Sequence, residues 1–220
     1  GQDADVILEP MGRNTAPAVI IAALRLQQMD IDEPMLVLSA DHDIVDVPAF
    51  HAALSSAHAL AVAGFIVTLG ITPSFACTGY GYIHCGDTVL NGFGVEKFVE
   101  KPNVAVAQAY LDSGDYLWNS GMFIVKPSVL LAEALALCPA LLEQCQNALN
   151  GSAKDLDFIR LSVAEFEQCE SISIDYAIME KTQKAVVVPV ACGWSDVGDL
   201  QSLWQANAKD ECGNVKQGDV

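Results

Sequence analysis

Three short apolar runs constrain the fold of this chain more than any other feature: Asp5–Pro10 (DVILEP), Met35–Ser39 and Phe65–Leu69. Each reads as a strand that is apolar throughout rather than on alternate residues. Between them lie two segments of helical period, one carrying Val19, Ile20, Ala23, Leu24 and Leu26, the other running from Pro48 to about Ala63 and ended by Gly64. A strand apolar on both faces needs cover on both faces, and a helix between successive strands is the connection that parallel pairing requires. The β-α-β-α-β order predicts an α/β domain with a mostly parallel sheet and helices on both sides. Thr15 is expected to cap the first helix, with Pro17 in its first turn.

The rhythm changes after Leu69. Glycines 79, 81 and 86 punctuate a strand around Tyr82, and Val95–Val99 and Met122–Val125 read as further strands. Helices are expected at Asn103–Leu111, at Pro127–Leu137 with a loose continuation towards Leu149, at Ser173–Glu180 and at Leu200–Ala206; Ala185–Pro189 is a strand. The closing GNVKQGDV reads as a terminal strand or linker. The organisation expected is one α/β domain with a substrate-covering insertion in its second half.

The formal net charge of −17, from 11 Lys and Arg against 28 Asp and Glu, excludes a nucleic-acid-binding surface, which needs clustered cations. Small phosphorylated ligands stay open, because backbone N–H groups, a metal or one placed cation can hold them. The seven cysteines include no C-x-x-C pair and read as free, mostly buried thiols of a reducing cytoplasm. No apolar run reaches the roughly 18 residues of a membrane span, and no signal-peptide pattern is visible.

Two aspartates close apolar runs and are followed by turn chemistry: Asp41 after Leu36–Leu38, and Asp196 after Val186–Val188 and the Gly193 bend. Ligands of open α/β sheets collect beyond the carboxyl ends of strands, and Mg²⁺ takes one or two protein carboxylates, leaving the rest to water and phosphate. Each Asp alone reads better as an ordinary turn or helix cap, and the pair gains force only with the segments between them. In TGYGYI, Gly81 permits close backbone approach or marks a bulge. FVEKP sets Glu100, an acceptor for hydroxyls, beside Lys101, a point charge for phosphate, although neighbouring strand residues face opposite ways. Asn119 in WNSGMF can cap a turn or bind a polyhydroxylated ligand. Ser173 or Asp175 reads as the cap of SIDYAIMEK. Arg13, Asn14 and Thr15 stand before a helix N-terminus, a place for an anion or a base edge, and Glu9 can accept from neighbouring N–H donors of guanine.

Taken in order, EPMGRNTAPA, LVLSADH, TGYGYI, FVEKP, WNSGMF, SIDYAIMEK and GWSDVG strongly resemble the bacterial mannose-1-phosphate guanylyltransferases, most of all the long type fused to a phosphomannose isomerase domain. The likeness runs from about Asp5 to the C-terminus. It implies a Rossmann-like fold of the nucleotide-diphospho-sugar transferase type, with residues 1–75 from the nucleotide-binding half and 76–220 forming the sugar-phosphate half. It also implies synthesis of GDP-mannose and pyrophosphate from GTP and mannose 1-phosphate, with Mg²⁺, in the cytoplasm. By the same resemblance Asp41 and Asp196 hold the metal, and Lys101 contacts phosphate. Glu9, Arg13, Asn14 and Thr15 form the base side, and Gly81, Glu100, Asn119 and Asp175 contact the sugar.

The family pattern opens with a strand and a Gly-rich, Arg-containing triphosphate loop, G-G-x-G-x-R-L-x-P-L, which nothing in these 220 residues matches, and the isomerase domain expected after GDV likewise lies outside them. Ser39 stands where a Pro is usual, and Cys77 where an acid is usual. Two expectations follow. Transfer should be poor or absent, since losing one oxyanion-type donor commonly costs about 100–1,000-fold in rate. An uncovered sheet edge should pair with another copy, giving a homodimer or larger assembly. The alternatives are a non-catalytic module that binds a sugar phosphate or nucleotide sugar, and a thymidylyltransferase. A nicotinamide-dependent dehydrogenase lacks its G-x-G-x-x-G signature.

Overall fold

The computed structural model describes residues 4–197, Trp204, Lys209, Asp210 and residues 212–215. Strand β1 is Val6–Leu8 and helix α1 is Thr15–Gln28. Asn14, not Thr15, caps α1: its side chain accepts the Thr15 N–H at 2.9 Å, with the backbone at φ 65°, ψ −166°, a strained region seldom adopted by residues other than glycine. Thr15 is the first helical residue, and its hydroxyl accepts the Ile174 N–H at 2.9 Å. Strands β2 (Met35–Val37) and β3 (Asp43–Ile44) lead to α2 (Val47–Val62), capped by Asp46 onto the Ala49 N–H. Strand β4 is Ile66–Ile71, and β5 (Tyr82–Val89) and β6 (Gly92–Val99) form a hairpin.

Helix α3 (Val104–Ser113) is capped by Asn103 and stopped by Gly114 at φ 75°. The ten-residue β7 (Tyr116–Val125) runs into α4 (Pro127–Leu137) and α5 (Pro139–Asn150), each opened by a proline whose missing N–H costs nothing there. Strands β8 (Ala153–Asp155) and β9 (Phe158–Arg160), the short α6 (Val163–Phe166) and a π-helical turn at Asp175–Met179 follow. Last come β10 (Ala185–Val190) and β11 (Trp194–Ser195).

The main sheet has the order β2-β7-β4-β10-β6-β5, with β5 also meeting β7; β1-β9-β8 form a second sheet and β11-β3 a ribbon. Side chains alternate across the main sheet, as period 2 demands. Ile66, Phe123 and Val125 face a core built with α1, α4, α5 and the π-helical turn. Val67, Leu69, Ile71, Met122 and Ile124 face the opposite core under α2. Helices therefore cover both faces, as the apolar runs required.

The pairing is more mixed than expected. Among the described strands, parallel pairing is confined to β4–β10 and β1–β9. The causes are β7, which enters antiparallel between β2 and β4, and the β5–β6 hairpin, whose β6 joins β10 antiparallel; a sequence run specifies a strand but not its partner. The apolar run Leu36–Leu38 reads as buried, yet Leu36 is 40% and Leu38 50% exposed, because β2 has β7 on one edge and no described strand on the other. Nothing in the sequence pointed to β8, β9 or α6. Ser173–Glu180 forms a π-helical turn instead of a capped α-helix, although Ser173 Oγ does accept the Tyr176 N–H at 3.3 Å. The expected helix Leu200–Ala206 and most of the terminal segment lie outside the described residues.

Gly70 sits at the register shift of β4 against β7. A Cβ there would lie 2.6 Å from both Leu117 Cδ1 and Val187 Cγ2, and 2.9 Å from Leu117 Cβ. Gly70→Ala is expected to destabilise the fold by about 1–3 kcal/mol through overpacking, read as a lower urea midpoint at unchanged slope.

Candidate functional site

A cavity of about 420 Å³ lies where the amino end of α1, the end of β2, the middle of β7 and the π-helical turn converge. Of the residues singled out from sequence, Asn14, Thr15, Gly81, Glu100, Lys101, Asn119, Asp175 and Asp196 line it; Glu9, Arg13 and Asp41 do not.

Asn119 is the hub of one wall. Its Nδ2 donates to Asp175 Oδ1 at 3.0 Å, while its Oδ1 accepts the Gly121 N–H at 3.2 Å and the Thr68 hydroxyl at 3.4 Å. Amide, strand and π-helical turn are thereby held in one geometry. Burial pushes the Asp175 carboxyl above its ordinary range; the Asn119 bond opposes this and the charge of Glu100 adds to it. Burial likewise raises Glu180, with Glu100 contributing. Gly81 leaves the space that Glu100 occupies: a Cβ would lie 2.6 Å from Glu100 Oε2. Glu100 and Lys101 fall beyond the end of β6, and Lys101 adopts φ 44°, so strand alternation no longer separates them. Lys101 Nζ stands 3.3 Å from Glu100 Oε1, and both line the cavity.

The opposite wall is the β11–β3 ribbon, in which Ser195 pairs with Asp43 and Trp194 with Ile44. This register carries the chain at Asp196 alongside His42. The Tyr80 hydroxyl donates to Asp196 Oδ1 at 3.0 Å, and Trp194 Nε1 donates to His42 Nδ1 at 3.2 Å. Burial lowers the His42 pKa, and the charges of Asp41 and Asp196 both act against that shift. The carboxylate charges of Asp41 and Asp196 are both felt at His42, although Asp41 is solvent-exposed and outside the cavity lining. Among the described residues no group of three or more His, Cys, Asp and Glu forms a metal site. A magnesium site needs no such group, since one or two carboxylates suffice.

The base-side residues divide. Asn14 and Thr15 edge the cavity, and Thr15 ties α1 to the segment carrying Asp175 through Ile174. Arg13 turns away: its guanidinium donates to the Glu167 carbonyl at 2.7 Å, and its buried Nε has no hydrogen-bond partner among the described residues. Burial raises the Glu9 carboxyl, and Glu9 and Arg13 both act on the buried Cys169 rather than on the cavity.

Sequence reasoning passed over Tyr80, His42 and Trp194, which line the cavity and hold Asp196 and each other. All three sat inside motifs already singled out, TGYGYI, LVLSADH and GWSDVG. An aromatic residue in such a string reads as core, and only the fold shows that Tyr80 packs edge-on against Trp194 and Trp118, both at 5.2 Å.

The chain is similar to known proteins along nearly its whole length. Residues 2–212 match the family model described as nucleotidyl transferase. Mannose-1-phosphate guanylyltransferase ManC of Salmonella typhimurium is 49% identical over 223 residues, covering 98% of this chain and 46% of the relative. Mannose-1-phosphate guanylyltransferase of Escherichia coli K12 is 48% identical over 223 residues, covering 98% and 47%. A crystal structure described as mannose-1-phosphate geranyltransferase from Thermus thermophilus superposes with a TM-score of 0.81 at 34% identity, covering 92% of this chain and 58% of that one. The chain spans about half the length of the curated relatives it matches. With a family match across nearly its whole length, this chain belongs to the nucleotidyl transferase family.

Proposed function

We propose that this chain is the nucleotidyltransferase domain of a guanylyltransferase that makes GDP-mannose and pyrophosphate from GTP and mannose 1-phosphate. The observation that carries this reading is the convergence of Glu100, Lys101, Asn119 and Asp175 on one cavity, with Asp196 across it. These residues come from separate strands and turns. The relatives of similar sequence named for this activity support the substrate assignment.

Glu100 and Asp175 accept hydrogen bonds from hexose hydroxyls, and Asn119 presents its amide between them. Lys101 draws the sugar phosphate towards the nucleotide. That phosphate oxygen attacks the α-phosphorus of GTP in line; the bond to the β-phosphate oxygen breaks, and pyrophosphate leaves with the electron pair. No covalent enzyme intermediate is required, so the protein contributes positioning and charge stabilisation. Asn14 and Thr15, at the amino end of α1, suit the nucleotide side, where the helix dipole favours negative charge.

Asp41 and Asp196 offer the hard oxygen donors that suit Mg²⁺, and Tyr80 steadies Asp196 by its hydroxyl. When bound, the cation supplies neutralisation of phosphate charge. Asp196→Asn is expected to weaken Mg²⁺-dependent GDP-mannose binding about tenfold or more, measured calorimetrically with and without the metal. Asn119→Ala should weaken it similarly, and it also removes the amide partner of the half-buried Asp175, at a stability cost of about 1 kcal/mol. GDP-mannose binding that ignores both substitutions would overturn the proposal. Catalysis is checked separately, by following pyrophosphate release from GTP with mannose 1-phosphate and Mg²⁺.

The acidic wall gives a pH signature. Burial holds the folded-state pKa of Asp175 above its ordinary value of 3.8. The folded chain therefore holds this proton more tightly than the unfolded chain. The stability so gained is present below that value and is lost as pH rises through the folded pKa. Asp175→Asn is expected to be more stable than the parent at neutral pH, with the difference closing as pH falls towards 3.8. Urea unfolding at several pH values reads this directly, and mannose 1-phosphate binding should fall in the same variant.

A further inference from the structure

We infer that Trp194 is a positioning residue: its indole N–H fixes the tautomer of His42, so that the imidazole meets the cavity with a hydrogen-bond donor that serves a phosphate oxygen of the ligand. The inference rests on the function proposed above and adds a contact to it. Trp194 Nε1 lies 3.2 Å from His42 Nδ1. An indole nitrogen only donates, so Nδ1 accepts and carries no proton. The proton of the neutral ring then sits on Nε2. His42 lines the cavity, and among the described residues its Nε2 has no hydrogen-bond partner.

The fold clamps the indole from several sides. The Cys192 carbonyl accepts the Val45 N–H at 3.1 Å and the Asp46 N–H at 2.9 Å, which pins the chain two residues before Trp194. Gly193, at φ 65°, allows the close approach that follows: a Cβ there would lie 2.9 Å from Val45 Cβ. Trp194 itself is 8% exposed and stands edge-on to both His42 and Tyr80, with ring centroids 5.2 Å away in each case. A buried indole needs a partner for its N–H, and for stability alone a backbone carbonyl would serve as well. Trp204 of this chain uses the Gly213 carbonyl in that way, at 2.8 Å. An imidazole differs, because accepting at one nitrogen decides where the proton of the other stands.

The opposite tautomer would turn a bare lone pair towards the ligand. Such a nitrogen repels phosphate oxygens and ligates transition metals. With Nδ1 taken by Trp194 and Nε2 protonated, the wall offers a cation its carboxylate oxygens and not the imidazole. The Nε2–H also supplies a phosphate contact on the side of the cavity opposite Lys101, and does so without adding charge.

The test combines NMR with binding. Long-range proton–nitrogen correlation at about pH 8, where an ordinary imidazole is neutral, should show His42 protonated at Nε2 and bare at Nδ1. Trp194→Phe keeps an edge-on ring but has no N–H, and should show a mixture of tautomers. His42→Asn keeps an acceptor for Trp194 and loses the distal donor; GDP-mannose binding should weaken about tenfold by calorimetry. His42→Gln, whose amide reaches the Nε2 place, should recover most of that loss. A proton on Nδ1 in the parent, the same single tautomer in Trp194→Phe, parental affinity in His42→Asn, or equal loss in the Asn and Gln variants overturns the inference. The parent spectrum and the two His42 variants decide it should Trp194→Phe not fold. A parent chain that binds no GDP-mannose overturns the proposed function instead, and the tautomer comparison still decides the role of Trp194.

Discussion

The candidate site depends on one side-chain amide. Asn119 lies in the middle of β7, the strand that antiparallel pairing inserts between β2 and β4. Its donor reaches Asp175 on the π-helical turn and its acceptor takes Thr68 of β4 and the Gly121 N–H. An amide offers both functions at fixed spacing, which neither a carboxylate nor a hydroxyl does. Shifting β7 by one residue would turn Asn119 to the other face and break every link. The Ser120 hydroxyl, donating to the Leu69 carbonyl at 2.6 Å, helps hold that register.

The π-helical turn follows from the same constraint. An ordinary α-helix from Ser173, the expectation from sequence, would present Asp175 on a different heading. The wider turn begins at Asp175, whose carbonyl accepts the Glu180 N–H at 2.9 Å. Irregular helical turns of this kind concentrate at functional positions. Here the irregularity lets a mostly buried carboxyl reach Asn119 while Ala177, Ile178 and Met179 stay in the core.

What was legible in the sequence divides along physical lines. Segments whose apolar period fixes their type were readable: α1, α2, α4, β4 and β10 fall close to their expected positions. Local chemistry was readable too: Gly64, expected to end α2, follows it at φ 95°. Pairing was not, because the apolar pattern of β7 says nothing of its neighbours or its direction. The exposure of Leu36 and Leu38 was hidden for the same reason. At the cavity, glycines and carboxylates stood out by type, whereas Tyr80, His42 and Trp194 needed the β11–β3 register to bring them together. Arg13 shows the converse error: a cation before a helix N-terminus suggests an anion site, yet the fold spends it on the Glu167 carbonyl.

Charge decides how such a cavity can accept phosphates. Among the described residues lining it, Lys101 is the one lysine or arginine, facing Glu100, Asp175 and Asp196. Lys101 also stands within ion-pair distance of Glu100, so part of its field is already answered. Like charges about 4 Å apart repel by roughly 1 kcal/mol in water and about 4 kcal/mol at an effective dielectric of 20. A triphosphate entering beside these carboxylates meets several such terms, within a chain of net charge −17. One lysine cannot offset them. On the proposed function, a divalent cation held near Asp196 would reverse the local sign and offset the acids that repel phosphate. Under that proposal the acidic wall and the scarcity of cations are compatible: the carboxylates would meet a neutral polyol, and charge for the phosphates would arrive with the metal.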